Sequence, residues 1–495
     1  MQNISPHGRF AYKWIALSVT TIGALMAAID STIVILALPD MMVKLHADLV
    51  EMVWVIMAYI LISTVFLLTF GRVADMFGRV RMYNLGFVVF TVGSALCGLS
   101  QNATQLILFR LVQGAGAALL MVNSPAILTE AFPPDERGRA LGINGITWAL
   151  GGILGPLLGG LILSKADWRW IFYINVPIGI IGTLWGYRAL HEISKPRQGE
   201  RFDTVGAITF SIGLIAFLLA LNLGIDYGWT SLPILALFVL FVVMLILFFT
   251  WERRAASPVL DLSLFQHRVY NFSVLAAMLQ SLAMFAVDFL IVFYLQGVRG
   301  YSPLTAALLL IPLPLVSAVV GPLSGVLADR IGARLPATLG VLVQAAALVW
   351  FISWLSPTTS YWQIAVGLAL MGLGGGLFWA PNTSAAMNSA PRERLGIASA
   401  TLATLRQTGM VTSFAVALAV AAGSLPHQVV MDLFIGNNIT LGSQGMQAFI
   451  LGIKNAFLVS TFLCLVAAGF SYVRGKENRR QEVAAAVQQG KNLAN

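Results

Sequence analysis

Gly71-Arg72-Val73-Ala74-Asp75-Met76-Phe77-Gly78-Arg79-Val80-Arg81 is a short, charged, glycine-spaced break between two long apolar runs. Its spacing returns at Gly325, Asp329 and Gly332, 254 residues later. Topology alone asks only for basic residues in such a connection, not for spaced glycines around an acid. The glycines permit a tight turn with close backbone approach, and the aspartate can pair with arginine or favour a helix N-terminus. A duplicated loop of this kind implies two halves built on one plan.

Outward from these loops, the chain is made for lipid. Its 495 residues are 58% hydrophobic and only 10% charged, whereas soluble domains are about a quarter charged. Runs of about 20 apolar residues suit a helix that spans a bilayer. They fall at 14–38, 52–71, 82–100, 104–128, 140–163, 170–189, 204–223, 232–251, 271–296, 304–327, 335–355, 361–387, 397–422 and 449–472. The fold class is therefore an all-α polytopic membrane protein with fourteen expected spans. The first run is too long for a signal-peptide core and is expected to stay as the first helix.

If each half holds six helices, the loop after the second should recur after the eighth. It follows the tenth, so two helices are inserted between the halves, within Thr204–Trp251. The expected organisation is a first bundle at 1–200, an insertion at 201–255, a second bundle at 256–475 and a tail at 476–495. Placing both ends in the cytoplasm leaves Lys44, Lys165, Arg169, Arg299 and Lys454 outside and Arg110 and Arg406 within helices. The rest of the 30 basic residues then lie inside, as the positive-inside rule favours.

That topology accounts for the net charge of +9 without nucleic acid, since the basic residues form no aromatic-interleaved patch. Cys97 and Cys464 sit in apolar stretches and read as small hydrophobes; no metal-ligand spacing accompanies them. No loop holds a Walker sequence or a nucleophile–histidine–acid set, so no cofactor and no enzymatic activity are expected.

Asp30 is the one charge between Trp14 and Pro39. An ionised group at that depth costs about 3 kcal/mol on insertion scales, so it either serves a polar path or is bonded to neighbouring helices. Asp288 lies 258 residues later, at nearly the repeat offset. It either flanks the same cavity from the second half or is satisfied locally. Arg110 likewise either needs polar company in the membrane or snorkels outward. Tyr59, Asn144, Trp148, Phe378, Trp379, Asn382 and Arg406 are candidate cavity residues; as interfacial or packing side chains the aromatics have an ordinary role too.

The duplicated loop, with Gly71, Asp75, Gly78 and Arg79 in one copy and Gly325, Asp329 and Gly332 in the other, resembles the hallmark loop of the major facilitator superfamily. Leu106 to Ala118, containing Arg110, is similar to its fourth-helix motif, in which the arginine is associated with proton transfer. Gly151, Gly152, Gly155, Pro156, Gly159 and Gly160 resemble its fifth-helix antiporter motif. Small residues four apart allow helices to touch, and the proline lets the segment bend. The stretch from Ile29 to Pro39 resembles the first-helix signature of the fourteen-helix drug:proton antiporters, though Leu36 stands where that pattern usually has asparagine.

This resemblance implies the major facilitator fold, two pseudo-symmetric six-helix bundles plus two helices. It also implies proton-coupled export of hydrophobic, often cationic compounds across the cell membrane, with Asp30 and Arg110 on the proton path and Asp30 also meeting substrate; the repeat adds Asp288 as a candidate for both roles. Export of one metabolite or lipid-like compound, proton-coupled import, and a receptor or enzyme are the competing readings. Protons, small-molecule substrates and lipid are the implied partners; a need for an adaptor and outer-membrane channel is left open.

Overall fold

The computed structural model describes residues 6–47, 49–193, 202–255, 258–301, 303–422 and 443–475. The chain folds as helices α1 (Pro6–Lys44), α2 (Leu49–Phe77), α3 (Arg79–Leu99), α4 (Ala103–Ala131), α5 (Arg137–Leu163), α6 (Trp170–Tyr173) and α7 (Asn175–Ala189). Next come α8 (Thr204–Tyr227) and α9 (Leu232–Glu252). The last group is α10 (Arg268–Phe293), α11 (Pro303–Leu309), α12 (Pro312–Ile331), α13 (Arg334–Trp354), α14 (Tyr361–Asn388), α15 (Leu395–Ala422) and α16 (Ser443–Val473).

Among the described residues, 13 helices are long and apolar enough to cross a membrane, and the protein is a multi-pass membrane protein. The remaining long helix, α15, has 28 residues and a more polar first half with Thr401, Thr404, Arg406, Gln407 and Thr408. Two expected spans are interrupted. The one at 170–189 breaks at Ile174, where Pro177 has no N–H to offer the carbonyl of Tyr173. The one at 304–327 breaks before Pro312, which starts the next helix as a proline at a first helical position does.

Helices α1–α7 pack largely among themselves, as do α10–α16, except that α5 also lies along α12 and α14. Each group has its own buried cluster, one around Tyr83, Phe87 and Phe90, another around Phe351, Phe378 and Phe457. The pair α8–α9 packs on itself and leans on α2 and α15, with Leu214 and Leu218 against Val65 and Val411. Its ends on the side of the Gly71–Arg81 loop are pinned by polar groups. Asp203 caps α8 by accepting from the Gly206 N–H at 2.9 Å and also accepts from Trp251 Nε1 at 2.8 Å. Glu252 Oε1 accepts from the Val259 and Leu260 amides at 3.1 and 3.2 Å.

The hydrogen bonds that join the two groups cluster on one face, the face that carries both copies of the duplicated loop. Asp75 Oδ1 accepts from the Gly396 N–H and Oδ2 from the Ile397 N–H, each at 2.9 Å, at the start of α15. Asp329 accepts from the Gly138 and Arg139 amides at 3.0 and 2.9 Å, at the start of α5. Each acid thus satisfies amides that a helix start leaves without partners, and sits where the helix dipole favours negative charge. Ser399 Oγ donates to the Val122 carbonyl at 2.6 Å beside them.

The glycines explain how the chains come that close. A Cβ on Gly325 would run into the Gly138 carbonyl, and one on Gly71 into Ala400 and the Gly396 backbone. Gly78 and Gly332 end the two copies at φ of 108° and 89°, a region that side-chain-bearing residues rarely occupy. Gly325→Val therefore separates α5 from α12 and opens this face. In a Ser399→Cys background, a membrane-impermeant maleimide applied from that side should label the introduced thiol faster when Gly325→Val is added; equal labelling with and without it contradicts the close packing.

Candidate functional site

Asp30 sits on α1 with no exposed surface, and every hydrogen bond it accepts comes from its own bundle. Oδ2 accepts from Arg110 Nη1 at 2.7 Å; Oδ1 accepts from Gln113 Nε2 at 2.8 Å and from Asn175 Nδ2 at 3.1 Å. Arg110 and Gln113 lie one turn apart on α4 and so share a face, and Asn175 begins α7 just past the break at Ile174. The interrupted span is thus what delivers an amide to the carboxylate.

A second ring of contacts holds these donors. Arg110 Nη1 also donates to Gln113 Oε1 at 2.7 Å, and its Nε donates to the Val55 carbonyl at 3.2 Å. The guanidinium lies over the Tyr59 ring at 4.2 Å and near Phe172 at 5.8 Å, within the range of a cation–π attraction. Asn175 Nδ2 donates to Ser94 Oγ at 3.1 Å, and Cys97 Sγ donates weakly to Gln113 Oε1 at 3.6 Å. Helices α1, α2, α3, α4 and α7 thereby converge on one buried ion pair.

Arg79 organises the closed face in the same way. It donates to Asp75 Oδ1 through Nε at 2.9 Å and Nη2 at 2.7 Å, to Glu130 through Nη1, and to the Arg392 carbonyl at 2.8 Å. The second copy has Ala333 in the position of Arg79, so the two latches share their acid and glycines but not their arginine.

The fifth-helix glycines form a seam with α1. A Cβ on Gly151 would strike Ala28, and one on Gly155 would strike Thr32; Thr32 Oγ1 donates to the Gly151 carbonyl at 3.0 Å. Gly152 and Gly160 face open space, Gly159 is buried, and the Pro156 side chain lies outside the described residues. The seam places α5, latched at its start by Asp329, directly against the helix that carries Asp30.

Other candidates separate into two sets. Tyr59 lies under Arg110 inside the first bundle, and Phe378 is fully buried in the core of the second. Asn382 also belongs to the second bundle, donating to the Ser273 carbonyl at 3.0 Å and accepting from Arg474 Nη1 at 3.0 Å. Trp148, Trp379 and Arg406 instead meet between the bundles: the Arg406 guanidinium is 5.9 Å from the Trp148 ring and 5.5 Å from the Trp379 ring. Asn144 is one turn from Trp148 on α5 and accepts from Ser124 Oγ at 3.3 Å. The Asp288 side chain lies outside the described residues. Sequence alone does not mark Gln113, Asn175 and Ser94 as site residues, although Gln113 and Asn175 are amides in otherwise apolar helices and carry that signal.

The profile of the Major Facilitator Superfamily matches residues 20–414. The multidrug resistance protein Stp of Mycobacterium tuberculosis strain CDC 1551 is 35% identical over 412 residues, 83% of this chain and 76% of that protein. The riboflavin transporter RibZ of Clostridioides difficile strain 630 is 33% identical over 394 residues, 80% of this chain and 85% of that protein. Among solved structures, the proton:xylose symporter XylE superposes with a TM-score of 0.65 at 13% identity, covering 94% of this chain and 97% of that one. This last likeness is one of fold.

Removing one member of a buried ion pair strands the other and costs about 3–5 kcal/mol, while replacing both with apolar residues costs less. Asp30→Leu and Arg110→Leu should each lower the thermal unfolding midpoint of the purified protein strongly, and the double variant should recover part of the loss. Additive losses in the double variant contradict the pairing.

Proposed function

The chain belongs to the major facilitator superfamily, a transporter family rather than an enzyme family, and from that membership we propose that it is a proton-coupled exporter of hydrophobic compounds. Its place is among the fourteen-helix drug:proton antiporters, with α15 as the fourteenth span. The face with the duplicated loop, rich in arginine, is the cytoplasmic one, and both termini lie on that side in the inner membrane. The bundles are 1–200 and 256–475, with 201–255 inserted and 476–495 as a tail.

The observation that carries the proton coupling is Asp30, a carboxylate at membrane depth held by Arg110, Gln113 and Asn175. While ionised, it neutralises Arg110. A proton arriving from outside converts it to a carboxylic acid, which no longer balances the guanidinium, and α1 and α4 lose their strongest bond. The displaced α1 pushes on α5 through the Ala28–Gly151 and Thr32–Gly155 seam. The far end of α5 is held by Asp329, so the same movement works on the cytoplasmic latch. When that face opens, Asp30 gives up its proton to the cytoplasm and recovers Arg110.

Export rather than import is supported by the fifth-helix glycine motif and by relatives such as Stp that are named for multidrug resistance. The riboflavin transporter supports a second reading, carriage of a single planar metabolite on the same framework. Reconstituted liposomes with an imposed pH gradient distinguish them when a panel of hydrophobic drugs is offered alongside riboflavin. Several drugs moved against the gradient support multidrug export; riboflavin alone supports the second reading. Asp30→Asn should bring gradient-driven flux down to the protein-free rate, and undiminished driven flux in that variant overturns the coupling role.

A further inference from the structure

Arg406 stands apart from the other arginines at membrane depth. Arg110 is ion-paired, whereas Arg406 has no ion-pair or hydrogen-bond partner among the described residues, and its Nε is buried without one. Two indole rings flank it, Trp148 from the first bundle and Trp379 from the second.

Helix rise fixes the depth of this group. Arg406 lies ten residues into α15 from Gly396, Trp148 ten residues into α5 from Gly138, and Trp379 nine residues back along α14 from Asn388. Gly396, Gly138 and Asn388 all take part in the latched face. At 1.5 Å per residue the three side chains lie about 15 Å from that face, half the thickness of the hydrocarbon core.

No acid among the described residues is in position to neutralise the arginine. Asp30 is committed to Arg110, Gln113 and Asn175. Gly409, one turn beyond Arg406, packs against Met278 and Leu282 of α10, which sets the register of these two helices. By helix rise, position 288 of α10 is then about 15 Å farther along the axis than position 406 of α15. A cation left unpaired at the midplane is expensive and marks a functional site.

Asn144, on the same face of α5 as Trp148, adds an independent signal. Its Nδ2 is buried and has no hydrogen-bond partner, although its Oδ1 accepts from Ser124. The site therefore offers a guanidinium and a spare amide donor, both of which want an acceptor, beside two large flat rings.

We propose that this midplane site binds an organic anion: a planar, apolar molecule with a carboxylate, sulfonate or similar oxyanion. The oxyanion meets the planar fork of Arg406, a geometry that suits two parallel hydrogen bonds, with Asn144 Nδ2 as a further donor. The ring system lies against Trp148 and Trp379. This specifies the substrate class for the exporter described above and rests on that reading; it also replaces the expectation of cationic cargo with the opposite charge.

The test is equilibrium binding to the full-length protein in lipid nanodiscs without any ion gradient, with empty nanodiscs subtracted. The probes are anilinonaphthalene sulfonate, the neutral phenylnaphthylamine that shares its rings, and a rhodamine cation. Wild-type protein should bind the sulfonate at least about tenfold tighter than the neutral amine, and the rhodamine most weakly. Arg406→Gln should equalise sulfonate and amine, and Arg406→Lys should keep part of the preference. Trp148→Ala should weaken both by a similar factor and leave their ratio intact. Sulfonate bound no tighter than the amine, rhodamine bound most tightly, or an undiminished preference in Arg406→Gln overturns the site. Because binding needs no gradient, loss of driven export with the sulfonate preference intact refutes the export reading and leaves the anion site standing.

Discussion

A carboxylate and a guanidinium that lipid would exclude are both buried in the first bundle, and the bundle is arranged to satisfy them. Asp30 and Arg110 are 0% and 1% exposed, so each bears the full cost of leaving water unless its partner is in place. The consequences run through the surrounding chain. The sixth span breaks so that Asn175 can reach Asp30, Gln113 shares a face with Arg110, Tyr59 lies beneath the guanidinium, and Ser94 holds the amide from α3. Such a network is costly wherever one of its members is left unsatisfied.

The same physics closes one face of the molecule twice. Asp75 accepts two amides at the start of α15, and Asp329 accepts two at the start of α5. Both latches need glycine where backbones touch, and both are strongest when the acid is ionised. They differ in that Arg79 ties Asp75 to Glu130 and the Arg392 carbonyl, while the second copy has alanine, Ala333, at that position. The glycine seam between α1 and α5 runs from the helix of Asp30 to the helix that Asp329 holds. Between the bundles, Arg406 stands in the opposite condition from Arg110: charged, ringed by tryptophan, and without an acid among the described residues.

Much of this architecture is written in one dimension. The repeat of Gly71, Asp75 and Gly78 at Gly325, Asp329 and Gly332 carries the two-half plan, because the same spacing of acid and glycines at matched topology needs a helix start to receive it. The need of Asp30 for partners was equally legible, since hydrophobicity alone marks it as misplaced. Which partners it takes was not legible: Arg110 is 80 positions away and Asn175 is 145, and only the packing of α1, α4 and α7 brings them together. Tyr59, Phe378 and Asn382 illustrate the same limit. An aromatic or amide in an apolar helix looks alike whether it faces a cavity or a neighbouring helix, and these three face neighbours. The breaks at Ile174 and before Pro312 were hidden because apolar content continues across them, although Pro177 and Pro312 carried the signal.

The proposed coupling turns on Asp30 taking up a proton as it lets go of Arg110. Infrared difference spectroscopy on the reconstituted protein reads this directly, through the carbonyl band of a protonated carboxylic acid that appears as the sample is acidified. One such band should be present in the wild type and absent from Asp30→Asn. A spectrum with no Asp30-dependent band would contradict it.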